Sequence, residues 1–261
     1  MNKGFDKTPS FFNDEETFSK YLAKTSYYIG LQDNVKKLVE LAKPKKVLEL
    51  GAATGATTIM LAETFPNVEF VGIDMRDDVV AIASNNAVKA GLSNVKFATN
   101  NMVDVATDRV DSDFVYLLYS FHHIVDPLSN KINFLKNMYQ NMKSGAYLCI
   151  AETFVSDKLD GLDSSKEIVD IWNVRKDEGF ASTYWKSLEG LDKDSIGRAE
   201  AIAEFCAKNE YLAGELVAKR DEEYLIQPKW LIDEATKIGF EVIINQPINI
   251  IEDRIILLRK K

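Results

Sequence analysis

The strongest constraint on the fold is a short apolar strand that runs into a loop of small residues and then into a helix. Residues 47–58 read VLELGAATGATT. Gly51 and Gly55 can take backbone angles that cost other residues free energy, and small side chains let a ligand approach the backbone closely. Such a loop, at the carboxyl end of the first strand of an open α/β sheet, indicates a nucleotide-binding site. The dinucleotide pattern G-x-G-x-x-G would need glycine at positions 53 and 56, and both are alanine.

Strand and helix patterns alternate after this loop. Apolar runs predict strands at Val47–Leu50, Val68–Ile73, Val95–Ala98, Phe114–Tyr119, Tyr147–Ala151, Glu241–Ile248 and Arg254–Leu258. Amphipathic segments predict helices at Thr57–Thr64, Asp77–Ala90, Asn130–Met142 and Pro228–Ile238. The alternation predicts an α/β fold, a Rossmann-like doubly wound sheet of seven mostly parallel strands with an antiparallel last strand.

The chain divides into four predicted parts. Residues 1–45 are expected to form a lid, in which residues 10–43 read as two helices and the second stops at Pro44. Residues 46–155 carry the core, and residues 227–261 complete its sheet. Residues 156–226 show helical apolar spacing without a strand pattern and are too long for a simple connection, which predicts a helical cap over the ligand edge of the sheet.

Charge and cysteine content narrow the classes of function. The net charge of −8 disfavours nucleic acid as a partner, because proteins that bind nucleic acids usually present a basic face. Cys149 and Cys206 fall in a predicted strand and a predicted helix and read as reduced core residues. The sequence shows neither an apolar signal region nor a membrane-spanning stretch. We therefore expect a cytoplasmic protein without a nucleic acid or membrane partner.

Asp74 ends the second predicted strand. A carboxylate there can accept two hydrogen bonds from a ribose diol, a charge-assisted and geometry-specific contact. Proteins that bind NAD use the same arrangement, so Asp74 indicates a nucleoside without identifying it. The alternative is that Asp74 caps the helix that begins near Asp77, but the neighbouring glycine loop favours the ribose.

Motifs between Val47 and Thr153 together resemble the class I S-adenosylmethionine (SAM)-dependent methyltransferases of the small-molecule type. Residues 49–55 match the first motif of that family, with alanine at position 53 where glycine is often found. Residues 142–148 (MKSGAYL) resemble its leucine-lysine-proline-glycine-glycine approach to strand five, with serine in place of proline. Residues 239–242 (GFEV) fit the approach to strand six, and residues 156–225 lie outside the resemblance.

The resemblance implies SAM as the cofactor and S-adenosylhomocysteine as its product. Asp74 would hold the ribose, the glycine loop would approach the methionine portion, and Asn101 and Met102 would flank the adenine. Asn101 stands where many members have an aspartate facing the adenine amino group, and its carbonyl can still accept a hydrogen bond. The predicted cofactor-binding residues are Glu49, Gly51, Ala53, Gly55, Asp74, Met75, Asn101, Met102 and Tyr119.

The family also places the acceptor pocket at the loop after strand four, which here holds the two histidines of the chain, His122 and His123. Either histidine could remove a proton from the acceptor, or both could satisfy the loop backbone and pack the following helix. Tyr28 on the lid is a third catalytic candidate, with ordinary packing as its alternative. The predicted acceptor contacts are Tyr27, Ser120, Phe121, Glu152, Trp172 and Arg175. Alternatively, Glu152 pairs with Arg175 and Trp172 belongs to the core of the cap.

The predicted function is methyl transfer from SAM to a small organic acceptor by in-line displacement, with the protein supplying positioning, exclusion of water and, where needed, a base. Two alternatives keep the same pocket: transfer of another SAM-derived group or a cyclisation, and a non-catalytic SAM- or nucleoside-binding protein. The segment after strand four lacks the Asp/Asn-Pro-Pro-Tyr/Phe motif of methylases that act on bases or glutamine nitrogens. It also lacks a clear set of acidic metal ligands, so no metal is predicted. The lid and cap could provide a homodimer surface.

Overall fold

A seven-stranded sheet forms the centre of the fold. The computed structural model describes residues 26–124, 128–154, 217–220, 223–248 and 253–261. The lid up to residue 25, most of the predicted cap, and the predicted acceptor contacts Trp172 and Arg175 lie outside the described residues.

The elements follow the predicted alternation along the core. The strands are β1 (Lys46–Leu50), β2 (Glu69–Asp74), β3 (Val95–Thr99), β4 (Phe114–Leu118), β5 (Tyr147–Thr153), β6 (Val217–Arg220), β7 (Glu223–Ile226), β8 (Glu241–Pro247) and β9 (Asp253–Arg259). The helices are α1 (Ser26–Ala42), α2 (Ala56–Thr64), α3 (Asp77–Lys89), α4 (Met102–Thr107), α5 (Leu128–Asn141) and α6 (Pro228–Ile238). A short 3₁₀ helix, Phe121–His123, follows β4, and we name it the histidine turn.

The strand order in the sheet is β3-β2-β1-β4-β5-β9-β8. Strands β1 to β5 pair in parallel, and β9 runs antiparallel to both of its neighbours, β5 and β8. This arrangement confirms the predicted doubly wound sheet with an antiparallel last strand. Strand order reverses between β1 and β4, and open α/β sheets bind their ligands in the crevice at the carboxyl ends of such strands.

Apolar side chains pack on both faces of the sheet. Leu48 of β1 belongs to a core with Phe134 of α5, whereas Val47 faces the opposite side with Leu31 of α1 and Leu61 of α2. Because successive residues of a strand point to opposite faces, a strand covered on both sides reads as a continuous apolar run. This explains why the core strands were predictable from sequence.

Two elements differ from the prediction. The hairpin of β6 and β7 lies in a segment that was expected to be helical, and its four-residue strands are too short for alternation to stand out there. Helix α4 was not predicted because six residues show too little periodicity. It begins at Asn101, whose side-chain Oδ1 accepts the Val103 N–H at 2.9 Å.

The described cysteine is an inert core residue. Cys149 is fully buried in β5 as a free thiol, and burial raises the pKa of this thiol to about 12. This confirms the prediction for Cys149, whereas Cys206 lies outside the described residues. Within the described ranges, no group of three His, Cys, Asp or Glu side chains is arranged to hold a metal ion. None of the helices described there is long and apolar enough to cross a membrane.

Candidate active site

The glycine loop between β1 and α2 is tightly folded against β2. The N–H groups of Gly51 and Ala52 both donate to the Ile73 carbonyl, at 2.8 Å each. Gly51, Ala53 and Gly55 all have positive φ angles, of 82°, 44° and 80°. Such angles suit glycine and cost an alanine roughly 1–2 kcal/mol, so the loop is a turn whose shape the surrounding hydrogen bonds impose.

Asp74 fixes the loop from the end of β2. Its Oδ2 accepts the Ala53 N–H at 2.9 Å, and its Oδ1 accepts the Arg76 N–H at 3.1 Å. Helix α3 has Arg76 at its N-cap position, so Asp74 holds the residue that precedes the helix and does not itself cap it. Each carboxylate oxygen has a second lone pair, which keeps the predicted contacts with a diol chemically available.

Glu49 lies beneath the same loop and joins β1 to its neighbours. Its Oε2 accepts the Tyr116 hydroxyl at 2.8 Å and also the Thr58 hydroxyl, and only 3% of the residue is exposed. Burial raises the pKa of Glu49 to about 7, against the lowering effect of these hydrogen bonds, and the charge of Asp74 adds to the rise. An acidic group that changes charge near neutral pH is therefore built into the floor of the site.

The other predicted cofactor contacts surround the loop at the carboxyl edge of the sheet. Met75 is 70% exposed and directly follows Asp74. Met102 lies close to the glycine loop, with its Cε 3.7 Å from where a Cβ on Gly51 would lie. Asn101 is exposed but uses its carbonyl as the cap of α4. Tyr119 has a φ of 51°, which ends β4 one residue earlier than predicted.

Two of the predicted acceptor contacts instead hold the histidine turn in place. The Ser120 hydroxyl is buried and donates to the Leu50 carbonyl at 2.6 Å. The Phe121 ring is 1% exposed and packs edge-on against Phe134, with their centroids 6.0 Å apart. Both residues are therefore buried beside the histidine turn, and their contact with the acceptor stays a prediction.

His122 and Glu152 form the central polar pair of the site. His122 Nδ1 lies 3.0 Å from Glu152 Oε1, and the His122 N–H donates to Glu152 Oε2 at 3.2 Å. Glu152 is 2% exposed at the end of β5, which pairs with β4 and therefore ends beside the histidine turn. Within the described residues Glu152 thus pairs with His122, whereas the alternative partner Arg175 lies outside them. His123 is exposed, and its ring lies against that of His122 at 4.1 Å.

Lys131 of α5 is a buried cation that the sequence reasoning missed. It has 0% exposure, its Nζ donates to the Phe121 carbonyl at 2.5 Å, and the same atom lies 4.4 Å from the centre of the Phe121 ring. Burial lowers the pKa of Lys131 to about 7, although the charge of Glu152 acts in the opposite direction. Its position in the apolar stripe with Phe134, Leu135 and Met138 was a signal, because that spacing marks the buried helix face.

Tyr27 and Tyr28, the predicted lid contacts, lie in the first turn of α1 by their backbone. The same helix reaches the glycine loop through Gln32, whose Nε2 donates to the Thr57 hydroxyl at 2.8 Å. Because Thr57 is buried in the first turn of α2, this bond fixes α1 beside the loop. Gln32 was also missed, since a lone polar residue on an amphipathic helix gives no signal of its own.

The chain resembles known methyltransferases in sequence and in fold. A family model described as a methyltransferase domain matches residues 41–227. Carboxy-S-adenosyl-L-methionine synthase of Campylobacter fetus is 26% identical over 159 residues, 59% of this chain and 64% of the relative's length. An uncharacterized methyltransferase of Staphylococcus carnosus is 24% identical over 189 residues, 70% of this chain and 83% of the relative. This chain thus spans somewhat less than two thirds of the Campylobacter protein.

A solved structure, human N-acetylserotonin methyltransferase in complex with SAM, shares the fold with a TM-score of 0.53 at 15% identity. The similarity covers 88% of this chain and 51% of the human one. The family model takes in most of the 261 residues. The chain therefore belongs to the methyltransferase domain family of class I SAM-dependent methyltransferases, whose cofactor is SAM.

Proposed function

We propose that this protein transfers the methyl group of SAM to a small organic acceptor. The observation that carries the proposal is the meeting of the glycine loop and the His122–Glu152 pair at neighbouring carboxyl ends of β1, β4 and β5. The glycine loop suits a nucleoside, and the His122–Glu152 pair suits the removal of a proton. A site that only bound the nucleoside would not need a carboxylate-held imidazole.

The residues present fit SAM as a ligand. Positive φ angles and small side chains leave the loop backbone open to close approach, and Asp74 offers carboxylate oxygens to a ribose. The exposed Met75 is proposed to offer an apolar surface for a base, and the buried Glu49 remains a proposed contact at the end of β1. When bound, SAM supplies an electrophilic methyl group on its sulfonium.

His122 is the proposed general base, with Glu152 as its orienting group. Since Nδ1 donates to the Glu152 carboxylate, Nε2 is the ring nitrogen with the lone pair that takes a proton from the acceptor. The carboxylate then stabilises the imidazolium that forms. A base placed in this way contributes typically about 10²–10⁴-fold to turnover for an acceptor that must lose a proton.

The acceptor is proposed to be a small molecule because the net charge is −8, which disfavours polyanions. Tyr27, Tyr28 and Tyr119, together with Trp172 and Arg175 of the cap, remain proposed contacts of cofactor or acceptor. His123 is proposed to line the pocket without acting as the base, since its ring is exposed and stacks on His122. We further propose that the protein acts in the cytoplasm without a metal, and that lid and cap supply any homodimer contact.

A second candidate is a reaction that alters SAM itself. The similarity to a protein named carboxy-S-adenosyl-L-methionine synthase favours it, because such chemistry would use the same nucleoside site. Mass spectrometry of the reaction products separates the two. Methyl transfer yields S-adenosylhomocysteine and an acceptor heavier by one CH₂, whereas the alternative yields a modified SAM.

Calorimetric titration with SAM, S-adenosylhomocysteine and NAD tests the proposal first. We expect micromolar binding of both SAM-type ligands, lost in Asp74→Asn but retained in Asp78→Asn, which removes an exposed carboxylate paired with Arg76 at 2.6 Å. A panel of phenols, alcohols, amines and thiols is then screened for S-adenosylhomocysteine release. Binding of NAD alone, or binding of SAM with turnover of every acceptor unaffected by His122→Asn, would contradict the proposed roles.

A further inference from the structure

One serine joins the two halves of the site. Ser120 lies between the end of β4 and the histidine turn, and its hydroxyl donates to the Leu50 carbonyl at the end of β1, at 2.6 Å. Its own carbonyl accepts the His123 N–H at 3.1 Å, a bond within the histidine turn. A single residue therefore contacts both the strand that leads into the glycine loop and the turn that carries His122.

The side chain of Ser120 acts where the backbone pairing of two strands has stopped. Strands β1 and β4 pair only as far as Glu49 and Tyr116, one residue before Leu50. The strand order reverses between β1 and β4, and open α/β sheets form their ligand crevice at such a point. The Ser120 hydroxyl thus links the end of β1 to the chain after β4, beyond the last backbone pair of the two strands.

The hydroxyl is directed to β1 and not to its own turn. Ser120 has the N-cap position of the histidine turn, where a serine side chain often accepts a backbone N–H of the same turn, and here it makes no such bond. The side chain also packs directly on Gly51, because a Cβ added to that glycine would lie 2.8 Å from the Ser120 Oγ. Ser120 is 3% exposed, so its hydrogen bond to Leu50 is shielded from competing water.

We propose that Ser120 is a positioning residue that sets the separation between the glycine loop and the histidine turn, so that the methyl donor and the base meet in one geometry. The proposal rests on the proposed function, since it takes the loop as the site of SAM and His122 as the base. In-line transfer depends on alignment, and a displacement of about 1 Å can lower turnover by about 10²-fold. This role is separate from the predicted contact of Ser120 with the acceptor.

Amide hydrogen exchange of the full chain, followed by NMR with and without S-adenosylhomocysteine, tests the link without an acceptor. The ligand should slow exchange in the glycine loop by about tenfold or more at saturating concentration. If Ser120 joins the loop to the turn, the two open together, and exchange of the His123 and Ile124 N–H groups slows as well. Ser120→Ala removes only the hydroxyl. We expect this variant to keep the protection of the loop and to lose the protection of the turn.

Ser112→Ala is the matched control. Ser112 is also 3% exposed, but it lies two residues before β4, at the edge of the sheet opposite the site, so its variant should keep both protections. Ser120→Cys replaces the hydroxyl with a weak donor of similar size, and it should behave as Ser120→Ala does. It decides the question if Ser120→Ala does not fold. Once an acceptor is known, Ser120→Ala should lower kcat by about 10-fold to 10²-fold and change the dissociation constant of SAM by less than about threefold.

The proposal would be overturned if Ser120→Ala and Ser120→Cys kept the protection of the turn, because direct shielding by the ligand would then explain it. Protection of the loop without the turn in the natural protein would overturn it too, and so would a natural kcat in Ser120→Ala. These results would leave the methyl transfer intact. Failure of the proposed function looks different, since S-adenosylhomocysteine would then protect neither part. That result would remove SAM from the loop and, with it, the role of Ser120.

Discussion

Glu49 is a buried acid with a consequence for the pH dependence of stability. Its pKa is raised from 4.5 to about 7 in the folded protein, so the folded state holds a proton that the unfolded state has lost between these values. Stability from this group is therefore present below pH 4.5 and is lost as pH rises through about 7. We expect Glu49→Gln to gain up to about 3 kcal/mol relative to the natural protein between pH 4 and pH 8.

Urea denaturation at a series of pH values measures this difference. Glu63→Gln is the matched control because Glu63 is exposed on α2, the helix that follows the glycine loop. Its stability should stay parallel to that of the natural protein. If the difference in free energy of unfolding between Glu49→Gln and the natural protein did not change with pH, burial would not raise the pKa of Glu49.

The His122–Glu152 pair predicts a split between binding and turnover. Glu152→Gln keeps the shape of the side chain but weakens the hold on the imidazole, so we expect turnover to fall by about 10²-fold or more with SAM affinity unchanged. Initial rates of S-adenosylhomocysteine release and calorimetry measure the two quantities. His123→Asn should lower turnover far less than Glu152→Gln does. If His123→Asn lowered turnover more, the base would be His123 and the assignment to His122 would be wrong.

The positions of individual residues were predictable from sequence where a motif defines them. They were not predictable where tertiary packing defines them. Asp74 and the glycines follow a strand end, so their place was readable, and Glu152 followed from the end of β5. Lys131 was missed because its burial depends on the turn it packs against, through a contact with Phe121, ten positions earlier in the chain. The burial of Ser120 and Phe121 could not be read from their sequence because it depends on packing around the 3₁₀ turn after β4, and their contact with the acceptor stays a prediction.

At the scale of elements, the glycine loop depends on side chains that fill the space beside its glycines. A Cβ on Gly55 would lie 2.6 Å from the Phe97 ring of β3, and φ there is 80°. Gly91 has a similar φ of 69° but no atom within 4 Å of such a Cβ. We expect Gly91→Ala to cost about 1 kcal/mol and Gly55→Ala about 3 kcal/mol, since only the second adds crowding.

Chemical denaturation of both variants gives these free energies of unfolding. Phe97→Leu in the Gly55→Ala background should recover part of the loss by opening space. Equal losses in the free energy of unfolding for the two variants would mean that the backbone angle alone makes glycine necessary at these positions. The elements themselves were predictable where they exceed about two turns or are buried on both faces, and α4 and the β6–β7 hairpin were missed because they are neither.

For the whole molecule, the cofactor should stabilise the fold by binding only to its native form. At about 100 times the dissociation constant, a ligand adds about 2.7 kcal/mol to the free energy of unfolding. We therefore expect SAM to raise the thermal midpoint, NAD to leave it unchanged, and Asp74→Asn to lose the SAM effect. Differential scanning calorimetry measures all three. A shift with NAD and none with SAM would contradict the cofactor assignment.

The sheet was predictable because β1, β4 and β5 are largely apolar runs and because clear helices follow β1, β2 and β4. Its β8 edge was also predicted, at Glu241–Ile248, although β8 is only partly buried and contains a register irregularity between Val242 and Ile244.

The crowding around the glycine loop bears on how members of such a family lose their activity. Gly51 has no room for a Cβ because Ser120 occupies the space, with its Oγ 2.8 Å away, and Gly55 and Gly72 both have Phe97 at 2.6 Å or less. These glycines are demanded by the folded chain before any cofactor binds. A homologue that had lost its catalytic activity would still need these glycines in order to fold. The glycine motif that identifies the family would therefore persist in inactive members. Loss of catalytic activity would be visible first as substitutions at the positions of His122 and Glu152.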